Sequence, residues 1–386
     1  MPAGPAMATA HRYDVLVAGG GPAGLAAAIA LAERRFHVLL AGPVPDLSEP
    51  SRCEMLPDAA EAILGRLDIA AVLETAVPLR GILSLWEGER PVDSGAAPNL
   101  GFHGWSVARL CVETALRARA GVLGVEMRDL WAKTVTGSTG DWRVTLQGPK
   151  SQGPKCRAAV RCRYLIDATG RRAVLARRLG AKLDVGPNLV AVTFDLPAQA
   201  RFRPHLVAEA TGEGWWYALP RGGGGGTLGF VTSGAGARQA ALSPRAFLKQ
   251  QAAGLRLICL PKAARSCRAV LSDARSAALS PIAGRGWLAA GDASAAFDPI
   301  ASQGLFNALS GGFFGGNAAA DALAGDHGAA QAYAALAART ARHTHRATPR
   351  QYAASRHATS FWTARDGAGL TTRGGSDAVS TPRQLG

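Results

Sequence analysis

Runs of apolar residues, broken at intervals by glycine, set the first expectations. Tyr13–Ala18 is an apolar strand that passes through Gly19-Gly20-Gly21-Pro22-Ala23-Gly24 into an alanine-rich helix, Leu25–Glu33, and Phe36–Leu40 returns as a second strand. Residues Ser51–Leu85 read as mostly helical. Arg128–Val160 and Leu189–Val231 alternate apolar and polar positions in the manner of antiparallel strands. Tyr164-Leu165-Ile166 and Gly286–Ala290 are further short apolar strands, each running into a tight turn. Leu305–Ala324 is a long Ala/Gly/Phe-rich helix, and residues 331–365 are helical with a predicted interruption at Pro349. The glycine segments Gly148–Gly153 and Gly222–Gly226 are turns; no helix follows the second, so it is a hairpin tip and not a phosphate loop. The tail from Asp366 is Gly/Ser/Thr-rich and is expected to be disordered.

Three strand-to-turn junctions carry the candidate chemistry. In G-x-G-x-x-G, Gly19 permits the tight turn, Gly21 lets the backbone approach a pyrophosphate, and Gly24 lets the helix close on the strand while its N-terminal amides face the phosphates; Pro22 and Ala23 are counted with them as cofactor contacts. Alone, such a motif is as readily an ordinary glycine turn. A second junction, Asp167-Ala168-Thr169-Gly170, and a third, Gly291-Asp292, change that balance, because Asp292 at a strand end suits a ribityl hydroxyl. Gly304 and Leu305 then open a helix whose positive end faces negative charge.

With these three junctions the chain resembles FAD-dependent monooxygenases of the para-hydroxybenzoate-hydroxylase-like fold, in the tryptophan-halogenase-like branch, over roughly His11 to Arg365. The resemblance implies an α/β fold. A GR2-type Rossmann-like FAD-binding domain (residues 11–185 and 276–330) surrounds an inserted antiparallel-sheet substrate domain (186–275), followed by C-terminal helices (331–365) and the tail 366–386. It also implies FAD contacts at Arg109, in Gly104-Trp105-Ser106-Val107-Ala108-Arg109, and at Val125 in the adenine strand. Phe297-Asp298-Pro299-Ile300-Ala301-Ser302-Gln303-Gly304 matches the branch's F-x-P-x-x-S-x-G segment between flavin and substrate, which gives Pro299 and Ser302 a catalytic place and Phe297 one in the pocket. Cys53-Glu54-Met55-Leu56-Pro57 is similar to a G-E-x-L-P segment of relatives, so Glu54 is either an active-site group or a helix-terminal carboxylate.

Two departures matter. The W-x-W-x-I-P signature survives only as Trp215-Trp216-Tyr217-Ala218-Leu219-Pro220, and the segment expected to hold a catalytic lysine, Ala76–Gly81, offers Arg80 instead. A guanidinium stays charged and is a poor nucleophile. Halogenation is therefore rejected, and the expectation is a hydroxylating or epoxidising monooxygenase acting through a flavin C4a-hydroperoxide. Its substrate is an aromatic or electron-rich small molecule or a Trp-containing peptide, held by Arg80, Trp215, Trp216, Tyr217 and Phe297. Two alternatives stay open: an alkene reductase of the geranylgeranyl-reductase type, and a non-catalytic flavoprotein scaffold for maturation. Electrons come from NAD(P)H directly or through a separate flavin reductase. The other departure is at the adenosine ribose: no acid ends the second strand, and Asp46 is the nearest downstream.

Composition adds bounds. The 386 residues suit about two to three domains. A net charge of +15 raises nucleic acid and membranes as partners, but arginine is spread along the chain. Arg339, Arg342, Arg346, Arg350, Arg356 and Arg365 form an acid-free stretch that is either a solvated face or a docking surface for an acidic protein, and neither nucleic acid nor membrane is expected. Cys53, Cys111, Cys156, Cys162, Cys259 and Cys267 match no zinc or redox spacing, so no metal is expected. His103 and His205 are either acid-base groups or, as is commoner for a lone histidine, packing or surface residues. Without a charged, apolar leader in Met1–Ala10, the expected compartment is the cytoplasm.

Overall fold

In the computed structural model, the described residues are 12–44, 51–95, 104–148, 157–197, 202–252, 254–258 and 269–365. Asp46, His103, Cys156, Cys259, Cys267 and the tail lie outside them, as does most of the first glycine turn.

Five strands in parallel make the centre of an eight-stranded sheet: 287–289, 157–167, 12–18, 38–41 and 126–128, in that spatial order. Val15, Leu16, Val17 and Ala18 are fully buried, as expected of a parallel strand covered on both faces. The long strand Arg157–Asp167 does two jobs. Its N-terminal half pairs antiparallel with Asp141–Gln147 in a meander, and its C-terminal half pairs with Arg12–Ala18.

Helix Pro22–Glu33 starts three residues before the position read from sequence and is buried along nearly its whole length. It packs on helix Gly304–Leu323 at backbone distance. A Cβ on Gly312 would stand 2.2 Å from the Ala23 carbonyl oxygen, and one on Gly316 would stand 2.6 Å from that of Ala27. These two glycines bring the N-termini of both helices to one place.

The second large sheet has seven strands in the order 269–273, 190–196, 226–232, 214–220, 206–211, 82–85 and 92–93. Pairing is antiparallel except between 206–211 and 82–85. Two of its strands therefore come from outside residues 186–275. The hairpin tip Gly223-Gly224-Gly225 has positive φ throughout, a conformation glycine adopts without strain.

Residues Ser51–Leu85 depart from the helical expectation. Cys53–Pro57 is a strand that pairs with Gly104–Ala108, Ala60–Arg66 is the only α-helix, and Val77–Leu79 and Ile82–Leu85 are strands. The alanines and glutamates of this stretch favour helix locally, but pairing with a strand about fifty residues away overrides them. At the C-terminus, helix Ala329–Ala353 passes through Pro349 without ending there, and Ser360–Thr363 adds one turn. Among the described residues, no helix is long and apolar enough to cross a membrane.

Two substitutions separate these packing roles in chemical denaturation at a fixed FAD concentration. Gly312→Val should cost about 1–3 kcal/mol or more by forcing the two helices apart. Gly65→Ala, where an added Cβ meets nothing within 4 Å, should stabilise by about 0.4–1 kcal/mol.

Candidate active site

A cavity of about 730 Å³ runs from the glycine loop to the seven-stranded sheet. Its near end is built of backbone. Gly19 has φ +124, and its Cβ would stand 2.0 Å from the Ala168 carbonyl oxygen; a Cβ on Gly24 would stand 1.8 Å from that of Gly19. These two glycines close the fold and do not line the cavity. Gly21, Pro22 and Ala23 do line it, and Gly21 caps its helix with no side chain, so the first-turn amides are free. Gly291 packs on Ala23 at φ +59, while Gly170 and Asp292 reach the cavity. Gly304 and Leu305 bring the second helix N-terminus, also without a side-chain cap. Two uncapped helix ends and a loop free of Cβ atoms fit a pyrophosphate and the electron-rich edge of a reduced flavin.

Charged side chains converge beside this cradle. Arg109, the first residue of helix Arg109–Val122, donates to Glu54 at 2.8 Å and to Glu113 at 2.8 Å, and Arg52 donates to Glu54 at 2.9 Å. Glu54 stands on a strand, so the helix-end reading of it does not hold; Arg52 sits two residues before it on the same face. Burial works against ionisation of Glu54, but the charges and hydrogen bonds of Arg52 and Arg109 outweigh it and hold the carboxyl at about 2. Asp292 stands 3.4 Å from Arg171; burial pushes its carboxyl above the ordinary range, and the Arg171 charge opposes that.

Asp167 does not face the cavity. Its carboxylate accepts from the Thr169 amide and hydroxyl and from the amides of Leu175 and Ala176, so it ties the strand end to the next helix. Val125 is buried in the core beneath the second strand and contributes no side chain to the cavity. At the end of that strand Arg117 donates to the carbonyls of Gly20 and Pro43, so a cation stands at the corner where an acid was expected.

The far end of the cavity carries aromatic rings among polar residues that include Ser84, Glu87, Thr193, Asp273 and Gln351. Trp215 and Tyr217 line it, and Trp86 meets Trp215 edge-on at 5.8 Å between centroids. Trp216 points through the opposite face of the sheet, fully buried and stacked on Phe230 at 4.6 Å, as strand alternation requires. Arg80 is exposed and does not line the cavity: Leu79 turns inward, and the next residue turns out. Phe297, Pro299 and Ser302 form the connecting loop, with Ser302 in the left-handed region at φ +50, a conformation a serine adopts only under constraint. Sequence reading missed Arg52, Arg171, Trp86 and Asp298 as lining residues. Arg52 was within reach of the period-2 rule once its segment was read as a strand. Of the six C-terminal arginines, Arg339, Arg342, Arg346 and Arg350 are exposed, Arg356 pairs with Glu89 and Arg365 is buried. His205 pairs with Asp93, away from the cavity.

The FAD binding domain family matches residues 12–345. The putative FAD-dependent oxidoreductase LodB of Marinomonas mediterranea is 28% identical over 214 residues, which is 54% of this chain and 56% of that one, so the match spans little more than half of that relative's length. A menaquinone reductase of Mycobacterium tuberculosis is 28% identical over 315 residues, 78% of this chain and 74% of that one. Among solved structures, the myxobacterial chondrochloren halogenase CndH superposes with a TM-score of 0.76 at 19% identity, covering 92% of this chain and 86% of that one. The peptidyl tryptophan dihydroxylase QhpG gives 0.69 at 19% identity, over 92% and 78%. At such identities these likenesses establish the fold. The chain belongs to the FAD-binding-domain family and has the fold shared by flavin-dependent halogenases and hydroxylases.

Proposed function

We propose that this protein is a monooxygenase that hydroxylates or epoxidises an aromatic or electron-rich substrate. The observation that carries this reading is the continuity of one chamber from the FAD cradle, at Gly21–Ala23 and Gly304–Leu305, to the ring-lined wall of Trp86, Trp215, Tyr217 and Phe297. Gly21–Ala23 and the Gly304–Leu305 helix end would hold FAD, which when bound would supply the chemistry that lets O₂ donate one oxygen atom. The chain's own residues do the rest. The helix end at Gly304 stabilises negative charge next to the ring, Arg109 and Arg52 keep Glu54 ionised, and the aromatic wall orients a planar guest and keeps water away from it. Arg80, turned to solvent, supports the rejection of halogenation. Electrons are supplied by NAD(P)H, directly or through a separate flavin reductase. The match to a menaquinone reductase over most of both chains favours one second reading, a flavin-dependent reductase of an alkene.

Isotope labelling decides between them: with ¹⁸O₂, reduced FAD and a panel of indoles, phenols and Trp peptides, a monooxygenase places label in product. Substrate reduced under anaerobic conditions with no label incorporated supports the reductase instead.

Two further outcomes follow from the geometry. Gly21→Val should leave the fold's stability close to wild type, since an added Cβ meets only the Arg109 guanidinium at 3.8 Å, yet should abolish co-purifying flavin absorbance by blocking the pyrophosphate's approach. Tyr217→Leu should weaken an aromatic ligand by about 0.5–1.5 kcal/mol, roughly a few-fold to tenfold in Kd. Trp216→Ala should instead cost about 3–5 kcal/mol of stability, measured by urea melts of both variants.

A further inference from the structure

Beyond the chamber lies a second, small cavity of about 30 Å³, bordered by His345, Thr348, Tyr352, Ser276 and Arg365. Among the described residues, Asp298 alone borders both cavities. It belongs to the loop between flavin and substrate, and 6% of it is exposed. Its carboxylate accepts from the Ile300 amide at 3.0 Å and from the Tyr352 hydroxyl at 3.1 and 3.2 Å. The Tyr352 oxygen in turn accepts from the Trp215 indole at 3.2 Å, so the chain of hydrogen bonds returns to the chamber wall.

His345 supplies the independent observation. It is 6% exposed, and its Nε2 lies 3.2 Å from the Ala296 carbonyl, which fixes the ring hydrogen on that nitrogen. The Nδ1 lone pair is buried with no partner among the described residues, in a ring that borders the small cavity. A volume of about 30 Å³ with several polar borders is room for one water, and a bare Nδ1 accepts from one.

We propose that Asp298 carries protons between the chamber and a water held in the small cavity, with His345 Nδ1 orienting that water and Tyr352 fixing the carboxyl. This rests on FAD binding and not on the hydroxylation reading. Reoxidation of the reduced flavin anion by O₂, giving FAD and hydrogen peroxide, moves two electrons and one flavin proton to oxygen and needs one further proton. The Asp298 carboxyl gives that proton and regains one that the water relays from bulk solvent, leaving the water unchanged. The groups that face it are Tyr352 and His345 from helix Ala329–Ala353, Arg365 beyond the last helical turn, and Arg171 after the Asp167 strand. Burial raises the carboxyl to about 6, against the Ile300 amide, Tyr352 and the two arginine charges. The proton-bearing form is therefore present below about 6 and is lost as pH rises through it.

The test uses wild-type holoprotein, Asp298→Asn and Tyr352→Phe. In infrared difference titrations, wild type minus Asp298→Asn should show one carboxyl band with a midpoint near 6. In stopped flow without substrate, reoxidation of wild type should slow about tenfold per pH unit above that midpoint. Asp298→Asn should be slow and flat with pH. Tyr352→Phe, which removes a hydrogen bond to the charged form, should move the midpoint to higher pH, a shift that a purely structural role would not produce. A crystal structure of the holoprotein should place a water on His345 Nδ1. No titrating band, an unchanged pH profile in Asp298→Asn, or no water at Nδ1 overturns the proposal, whether or not a hydroxylated product is found.

Discussion

The active-site architecture depends on backbone approaching backbone without a Cβ between them. Gly24 lies against Gly19, Gly42 against Gly20, Gly312 against Ala23, and Gly291 against the Ala23 side chain. Each contact is closer than any side chain allows, and together they pull three strand ends and two helix N-termini into one corner. The helix Pro22–Glu33 is alanine-rich for the same reason: covered by sheet on one side and by Gly304–Leu323 on the other, it has no outward face for a polar stripe. Convergence of two uncapped helix ends is thus a consequence of packing, and an anion site follows from it.

Around that corner three aspartates show how local partners decide what a carboxyl can do. Asp167 is surrounded by donors from its own turn and is committed to holding the strand end. Asp292 faces Arg171 at the cavity edge, where a hydroxyl of the cofactor can compete for it. Asp298 has one amide and one phenol, and both partners leave lone pairs of its two oxygens free. All three are raised by burial, and they differ in the number of hydrogen bonds that favour the charged form. The same residue type at three nearby positions thus serves as a fastener at Asp167 and is proposed as a cofactor contact at Asp292 and a proton carrier at Asp298.

The dinucleotide corner was legible because its constraints are local. A glycine spacing between an apolar strand and a helix states both the turn and the approach of a phosphate, and Arg109 opens the helix that the resemblance assigned to it. The far wall was less legible. The strand period already separates Trp216 from Trp215 and Tyr217, yet grouping three adjacent aromatics into one pocket ignored it. Glu54 and the residues around it read as helix in the sequence because their pairing partner, Gly104–Ala108, is remote from them. Trp86 and Asp298 meet their partners more than two hundred and more than fifty residues downstream, and no spacing rule reaches that far.

Those remote partners share one origin, the C-terminal segment. Trp86 donates to the Gln351 carbonyl, Trp215 to Tyr352, and Trp362 meets Trp86 edge-on at 5.2 Å. Arg365 stacks on Phe361 at 4.0 Å and donates to the Asn188 carbonyl, which ties the end of the described chain to the sheet domain. The chamber wall is accordingly a three-part contact of sheet, Trp86 strand end and C-terminal helices, closed by aromatic edges and hydrogen bonds to backbone carbonyls. Ser84, Glu87, Thr193, Asp273 and Gln351 line the cavity with these rings, so polar groups accompany the ring faces that shape the space. The glycine corner shapes one end of the cavity, and the C-terminal segment, by setting the positions of Trp86, Trp215 and Asp298, shapes the other.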